Sequence, residues 1–379
     1  MTLRVVICRS NPIAPDPRVE KEARALVRAG YQVTLLGWDR TAKLPAQEQI
    51  EGIPCFRLPI QAEYATGMRN LPDQLRWQWG LLKWLVHRRQ DYDLIHACDF
   101  DTILPALICQ RLYRKKVVYD IFDFYADHLR LTPGPVKKAI RALDLRAINR
   151  ADALILADES RWEQIQGAKP HLSAVVYNSP EDLALQSTLP TDQIGKPQDS
   201  HLHIVYVGLL QVERGLFELI AVLCRHPEWT LSLAGFGGDE LRITQEIQGM
   251  TNIAWHGRVP YQIAMQLSGE ADVVIATYDP VIPNHRFSSP NKVFEAMLLG
   301  KPIIVAHDTN MDRIITQAEC GIIIPYGDEA ALESALQRLQ DEPGLRLRLG
   351  ENARRAYDTT YSWQIMQHRL IDLYEQLAS

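Results

Sequence analysis

No apolar run in this 379-residue sequence approaches the roughly eighteen residues that a membrane-crossing helix needs, so no spanning segment is expected. The six cysteines, Cys8, Cys55, Cys98, Cys109, Cys224 and Cys320, are scattered, with no pair at metal-ligand spacing. Most sit in apolar surroundings, as buried thiols of a reducing compartment do. There is no low-complexity tract, no direct repeat and no concentrated basic stripe of the kind that holds nucleic acid, and the net charge is −5. Met1 to Arg9 lacks a cleavable-signal layout, because Leu3 to Cys8 already reads as a strand. These absences point to a cytoplasmic protein with no nucleic-acid partner.

What is present is the composition of an ordinary globular protein, 46% apolar and 23% charged, on a chain long enough for two domains with their own cores. Charge divides unevenly. Through Leu185 there are 26 Lys/Arg against 22 Asp/Glu; beyond it there are 15 against 24. A basic first half is suited to something anionic, such as the inner membrane face or a phosphorylated lipid acceptor, although drift in surface composition gives the same count. From Arg76 to Arg89, Trp77, Leu81, Trp84, Leu85 and Arg88 recur at helical spacing. That stripe suits either an interfacial helix on an anionic membrane or, more commonly, a core-facing helix.

Short β-branched runs alternate with amphipathic helical patterns, the signature of parallel α/β sheets. Strands are expected at Arg4–Cys8, Gln32–Leu36, Leu94–Ala97, Lys116–Tyr119, Ala153–Leu156 and Ala174–Tyr177, with a helix over Arg18–Ala29 closed by Gly30. A second series begins at His203–Val207 and continues with Thr230–Ala234, Ile253–His256, Val273–Ala276, Ile303–Val305 and Gly321–Ile324. The polar stretch 187–200 reads as a linker between a first domain over 1–186 and a second over 201–360, and 361–379 reads as one amphipathic helix.

The segment Ser288 to Ala306, S-S-P-N-K-V-F-E-A-M-L-L-G-K-P-I-I-V-A, is the most telling. Ser289 can cap a helix, Pro290 suits its first position, and Gly300 can close it ahead of a buried strand. The free amides of Asn291, Lys292 and Val293 would make an anion site with the Lys292 ammonium beside it. Glu295, one turn on, can accept hydrogen bonds from sugar hydroxyls. Phosphate at a helix tip and hydroxyls beside a carboxylate suggest a nucleotide-sugar pocket.

The same segment resembles the donor-site helix of the family 4 (group 1) glycosyltransferases. Other stretches resemble that family in the expected order: Asp16 to Gly37, Asp93 to Asp101, Tyr206 to Leu216 (Y-V-G-L-L-Q-V-E-R-G-L), Leu231 to Gly237, and Tyr361 to Tyr374. The resemblance covers nearly the whole chain. It implies the GT-B architecture, two facing Rossmann-like domains with parallel sheets and a last helix returning to the first domain. It also implies a nucleotide-diphosphate sugar as donor, retention of configuration, and no metal or other cofactor.

On the donor side, the resemblance puts Arg214, Lys292 and the Asn291–Val293 amides on the diphosphate, with Gly208 in the turn below. Glu295 would meet the ribose, its alternative being a first-turn acid that favours the helix dipole, and Arg258 and Val259 would meet the base, a surface arginine being the alternative for Arg258; backbone groups of Phe287, Ser288 and Ser289 could reach the sugar. Gly235, in a glycine cluster after a strand, serves either close approach of a ligand or a tight turn. Three positions depart from the family pattern: Leu209 stands where a second basic residue is usual, Phe287 where a first glutamate is usual, and Phe122 where a histidine is usual. With Phe122 in that place, Asp120 and Asp123 become the groups that could orient an acceptor hydroxyl or take its proton, a cap being the competing role for Asp123. Asp16, Arg18, His96 and Asp99 follow other strands on the acceptor side. The charges of Asp16 to Glu22 also fit a solvated helix start. The Asp99-Phe-Asp101 spelling resembles a metal motif of another transferase architecture, yet it precedes a helical pattern where aspartate caps are common.

The reading is a glycosyltransferase moving a sugar from a nucleotide-diphosphate sugar to a glycan, lipid-linked or small-molecule hydroxyl. A catalytically silent GT-B binding protein and a GT-B nucleotide-sugar epimerase are the alternatives.

Overall fold

The computed structural model describes residues 3–62, 71–128, 132–182 and 201–378. The chain divides into two compact units, Met1–Tyr177 together with Met366–Ser379, and Asn178–Ile365. The first unit therefore ends nearer its last strand than the expected boundary at residue 186, and the expected linker over 187–200 lies outside the described residues.

The strands of the first unit are β1 (Arg4–Arg9), β2 (Gln32–Asp39), β3 (Gln47–Ile50), β4 (Ile53–Pro59), β5 (Leu94–Cys98), β6 (Lys116–Ile121), β7 (Ala153–Leu156) and β8 (Ser173–Val175). They form one sheet in the order β3-β4-β2-β1-β5-β6-β7-β8. All neighbours are parallel except β3 and β4, which form an antiparallel hairpin at the edge. An all-parallel sheet was expected here. The difference is the hairpin, whose strands Q-E-Q-I and I-P-C-F-R-L-P carry the charge and proline that suit an edge.

The second unit holds β9 (His203–Leu209), β10 (Thr230–Phe236), β11 (Ile253–Trp255), β12 (Val273–Ala276), β13 (Ile303–Ala306) and β14 (Gly321–Ile324). Its sheet is wholly parallel, in the order β11-β10-β9-β12-β13-β14. Each sheet thus reverses its winding once, between β1 and β5 in the first unit and between β9 and β12 in the second. Ligand crevices of open α/β sheets lie beyond the carboxyl ends of the strands at such points.

Burial explains why these runs became strands. β7, β12 and β13 are apolar on both faces, as strands covered by helices on both sides must be. The helix Leu71–His87 buries Trp77, Leu81 and Leu85, and the Trp77 indole stacks on Trp38 with centroids 5.1 Å apart. The tryptophan stripe is therefore core packing, not an interfacial face. The opposite side of that helix leaves Leu71, Leu75 and Trp79 exposed. The final helix, Trp363–Ala378, seats its last turns in the first unit: the Tyr374 hydroxyl lies 2.7 Å from His96 Nδ1, and Lys116 Nζ donates to the Leu377 carbonyl.

Candidate active site

In the second unit, the crevice begins where β9 ends. Gly208 has φ +153, and a Cβ built there would lie 3.0 Å from Lys292 Nζ. A side chain at 208 would press on the lysine terminus and would have to adopt a backbone conformation that L residues rarely take, so the position favours glycine. Gly235, its neighbour on β10, packs against the Gly208 carbonyl, where an added Cβ would sit at 1.9 Å. That contact accounts for Gly235 by strand packing rather than by approach of a ligand.

After β9 the chain makes a 3-10 turn, Val212–Arg214, closed by Gly215 in the left-handed conformation. The Arg214 carbonyl accepts a 3.0 Å hydrogen bond from Thr277 Oγ1, which follows β12, and its guanidinium lies 3.8 Å from the ring of Tyr278. Arg214 thus spans the reversal point from strand end to strand end. Its Nε and Nη1 are buried with no hydrogen-bond partner among the described residues, and so is Lys292 Nζ. Lys292 stands over the rings of Tyr206 (3.9 Å) and Tyr278 (5.6 Å). Burial first, then the Arg214 charge, push its pKa down to about 7, with Glu295 opposing the shift. Two half-buried cationic side chains whose inner nitrogens have no partner among the described residues form a site suited to an anion.

The helix carrying Lys292 runs Asn291–Leu298. Pro290 occupies the cap position and Asn291 the first turn, one residue later than expected. Ser289 does not cap; its Oγ is buried without a partner among the described residues. Of the three expected amide donors, Val293 already bonds to the Pro290 carbonyl at 3.1 Å, leaving those of Asn291 and Lys292 without an intrahelical partner. Gly300 ends the helix as expected, with φ +62 and its amide on the Met297 carbonyl. The Ser288 amide is committed to the His285 carbonyl and the Ser289 carbonyl accepts from Asn178 Nδ2 at 3.3 Å, so both backbone groups expected near the sugar are engaged internally. Phe287 follows the short helix Pro283–Arg286 as its cap.

On the β10–β11 side, the Gly257 carbonyl accepts from the Gly235 amide at 2.9 Å, and the Arg258 guanidinium stacks 4.4 Å over the half-exposed ring of Phe236. Val259 and Pro260 lead from that loop into the helix Tyr261–Glu270. Leu209, partly exposed, pairs in register with Phe236, so an apolar lip stands where a second cation was usual.

The first unit fills its own reversal point with ion pairs. Arg9, at the end of β1, pairs with Asp99 after β5 and with Asp16 at 3.1 Å. Asp16 caps the helix Pro17–Arg28 through Val19 N, and Glu20 returns the contact to the Asp16 amide at 2.7 Å. Arg18 forks onto Asp120 at 2.9 and 3.2 Å, lies 3.1 Å from Glu22, and donates to the Val176 carbonyl. His96 Nε2 completes the cluster 3.3 Å from Asp120. Asp16, Arg18, Lys21 and Glu22 are all buried, so this is no solvated helix start.

Asp120 is fully buried, with no surface on which to meet an acceptor. Burial raises its pKa, but the Arg18 charge and the His96 contact outweigh that and hold it below the usual range. Asp123 is half exposed and pairs with Arg161 at 2.9 Å, so it is the accessible carboxylate of the two. Asp99 sits at the cap position of the helix Phe100–Tyr113, but its side chain does not cap; Oδ1 accepts the amides of Phe122 (2.8 Å) and Asp123 (3.3 Å). The Phe122 ring lies between the guanidiniums of Arg9 (4.1 Å) and Arg18 (4.7 Å), filling the polar position with a cation–π contact. His96, Cys98 and Asp120 bring ligand atoms within 4.8 Å of one another. A cation there would have to displace the Arg18 guanidinium from Asp120, so the trio does not fit a metal.

Three residues around the donor-side cations escaped sequence reasoning: Tyr206, Tyr278 and Thr277. The sequence reading gave none of them a role. Their only signal was a polar tip at a strand end or helix start, where a buried phenol needs a partner.

Two family models match the chain in succession, a glycosyl transferase 4-like domain over residues 15–178 and glycosyl transferases group 1 over residues 201–342. Glycogen synthase of Mycobacterium tuberculosis is 22% identical over 376 residues, spanning 92% of this chain and 88% of the relative. Among solved structures, sucrose-phosphate synthase from Thermosynechococcus elongatus matches 100% of both chains with a TM-score of 0.78 at 17% identity. Anabaena HepE in complex with UDP-glucose matches 99% of this chain and 100% of its own, with a TM-score of 0.72 at 16% identity.

Proposed function

The chain belongs to the group 1 glycosyltransferases and has the GT-B fold, and from that premise we propose that it transfers a sugar from a nucleoside-diphosphate donor to a hydroxyl of a glycan or lipid-linked acceptor, with retention of configuration. The observation that carries this reading is the pair of half-buried cations Arg214 and Lys292 at the reversal point of the second sheet, whose inner nitrogens have no partner among the described residues. The departing diphosphate gathers negative charge as the glycosidic bond breaks. Fixed cations stabilise that charge with no reorganisation at the moment of reaction.

In this reading Arg214 and Lys292 flank the diphosphate, and the Asn291 and Lys292 amides add the helix tip. Glu295 accepts the ribose hydroxyls, and Arg258 with Phe236 offers a platform for the base. Asp123, the more accessible aspartate, faces the acceptor; Asp120 with Arg18 and His96 shapes the floor beneath it. The acceptor's proton leaves on the donor phosphate as the new bond forms. The protein needs no metal, because the charges it must supply are its own side chains. HepE is solved with UDP-glucose, which supports a nucleotide-sugar donor here.

Contact with the inner membrane face belongs to the same reading. With the Trp77 stripe buried, it rests on the exposed Leu71, Leu75 and Trp79 and on the basic first half of the sequence.

A thermal-shift panel of UDP, GDP, ADP and dTDP on wild type and Arg214→Ala tests the donor site. A ligand at 100 times its dissociation constant stabilises the fold by about 2.7 kcal/mol. One nucleotide stabilising wild type and losing most of its effect in the variant supports the reading. No response to any of the four removes it.

A further inference from the structure

In the second unit, the turn Val212–Arg214 and the segment after β12 lie side by side, fastened by two hydrogen bonds. The Asp279 amide donates to the Glu213 carbonyl at 3.0 Å, and Thr277 Oγ1 donates to the Arg214 carbonyl at 3.0 Å. Gly215 tightens the join, since a Cβ built there would lie 2.4 Å from Thr277 Oγ1. The side chains of Arg214 and Tyr278 are thereby brought together, with the guanidinium carbon 3.8 Å from the centre of the Tyr278 ring. That ring is buried, packs at 55° against the His285 ring with centroids 5.3 Å apart, and lies 5.6 Å from Lys292 Nζ.

We propose that Tyr278 is a positioning residue for donor binding, a ring that holds Arg214 by its face and so leaves the guanidinium N–H groups for the diphosphate. The inference rests on the donor-site reading above and adds a residue that reading does not contain. A carboxylate would hold an arginine by accepting its N–H groups, and a phosphate would then have to displace it. A ring face attracts the cation through its quadrupole and carries no net charge to repel the ligand. The donors of a guanidinium lie in its own plane, so a ring over that plane blocks none of them. This is the state of Arg214, whose Nε and Nη1 have no hydrogen-bond partner among the described residues. Holding a long side chain in one place before the ligand arrives removes an ordering cost from binding. Lys292 rests on the Tyr206 ring at 3.9 Å, so both cations of the site are backed by aromatic faces.

The test replaces Tyr278 by Phe and by mono-, di- and trifluorinated phenylalanine, which keep nearly the same shape while draining the negative face of the ring. Isothermal titration with whichever of UDP, GDP, ADP and dTDP binds wild type reads the site, and the melting temperature without ligand reads the contact. Tyr278→Phe should bind within about twofold of wild type, because the quadrupole survives. Affinity should then fall with each fluorine, to about fivefold below Tyr278→Phe for the trifluorinated ring, as the guanidinium loses its fixed place. The ligand-free melting temperature should fall along the same series, and stay level along it in the Arg214→Met background. Equal affinity from Phe to the trifluorinated ring, or a melting temperature that falls as steeply in Arg214→Met, overturns the inference while leaving the donor site standing. Wild type that binds none of the four nucleotides overturns the donor-site reading, and this inference with it.

Discussion

The Lys292 ammonium stands 3.9 Å from the centre of the Tyr206 ring, and the hydroxyl of that same ring donates to the Leu209 carbonyl at 2.7 Å. The ring is thus fixed at its far end while its face meets a charge. A ring face offsets only part of what an ammonium loses on leaving water. Lys292 is therefore a local source of instability maintained in the ligand-free protein.

Replacing Lys292 by Met should consequently stabilise the ligand-free protein, by roughly 1–4 kcal/mol if the site accepts the apolar chain, and abolish nucleotide binding. Denaturant unfolding and nucleotide titration of the one variant check both halves. The pH dependence has a fixed sign. The lysine is depressed from 10.5 to about 7 in the folded state, so between those values the unfolded chain holds the extra proton and stability rises with pH. Below about pH 7 the cost is fully present. The slope contributed by this group should vanish in Lys292→Met.

Diphosphate binding should take up a proton above neutrality, since the anion favours charged Lys292. Calorimetry in two buffers of different ionisation enthalpy should give enthalpies that differ at pH 8 and converge at pH 6. Equal values at both pH would contradict the assignment.

Asp120→Ala should behave as a folding variant before it behaves as a catalytic one. It leaves Arg18, itself 6% exposed, without its main carboxylate, and breaking a buried pair from one side costs about 3–5 kcal/mol. Asp123→Asn keeps an oxygen to accept from the buried Arg161 but removes its counter-charge, so it should cost less stability than Asp120→Ala and act mainly on turnover. Melting curves beside single-turnover rates separate the two.

The two tryptophans of the helix Leu71–His87 should part in the same way. Trp77→Ala loses the stack on Trp38 and the Nε1 bond to the Asp101 carbonyl, for about 3–5 kcal/mol. Trp79→Ala, at a side chain 68% exposed, should spare stability and lower co-sedimentation with anionic phospholipid vesicles. Equal vesicle binding by wild type and Trp79→Ala would remove that face from the membrane reading.

His226 lies between Glu228 (2.8 Å) and Glu333 (2.9 Å), and the hydrogen bond to Glu333 leads in raising its pKa. A raised histidine gives stability that is complete below its unfolded pKa of about 6.5 and is lost as pH climbs through the folded value. The melting-temperature gap between wild type and His226→Gln should therefore be wider at pH 5.5 than at pH 8.5.

Every strand expected from the sequence is present, because a strand buried on both faces writes itself as a run of Val, Ile and Leu that needs no long-range information. The hairpin of β3 and β4 escaped for the converse reason: Gln47, Glu48, Gln49 and Pro54 are edge residues, and they spell a loop. At the site, Arg214 and Lys292 were legible because each follows a strand or opens a helix with glycine or proline beside it. Asp120 misled. It follows the apolar run of β6 as a crevice residue would, and only its meeting with Arg18, 102 positions earlier, shows that it is buried.

The last turns of the final helix belong to the first unit, with Tyr374 against His96 and Leu377 against Lys116. A ribosome must therefore synthesise the entire second unit before the first can be finished. Until Met366 and the residues after it emerge, the His96 end of the Arg18–Asp120 cluster has a hole where Tyr374 belongs. The second unit, contiguous in sequence, can close first. Loss of only the terminal fourteen residues should then resemble damage at the opposite end of the gene: a sound second unit attached to a first unit that never sets.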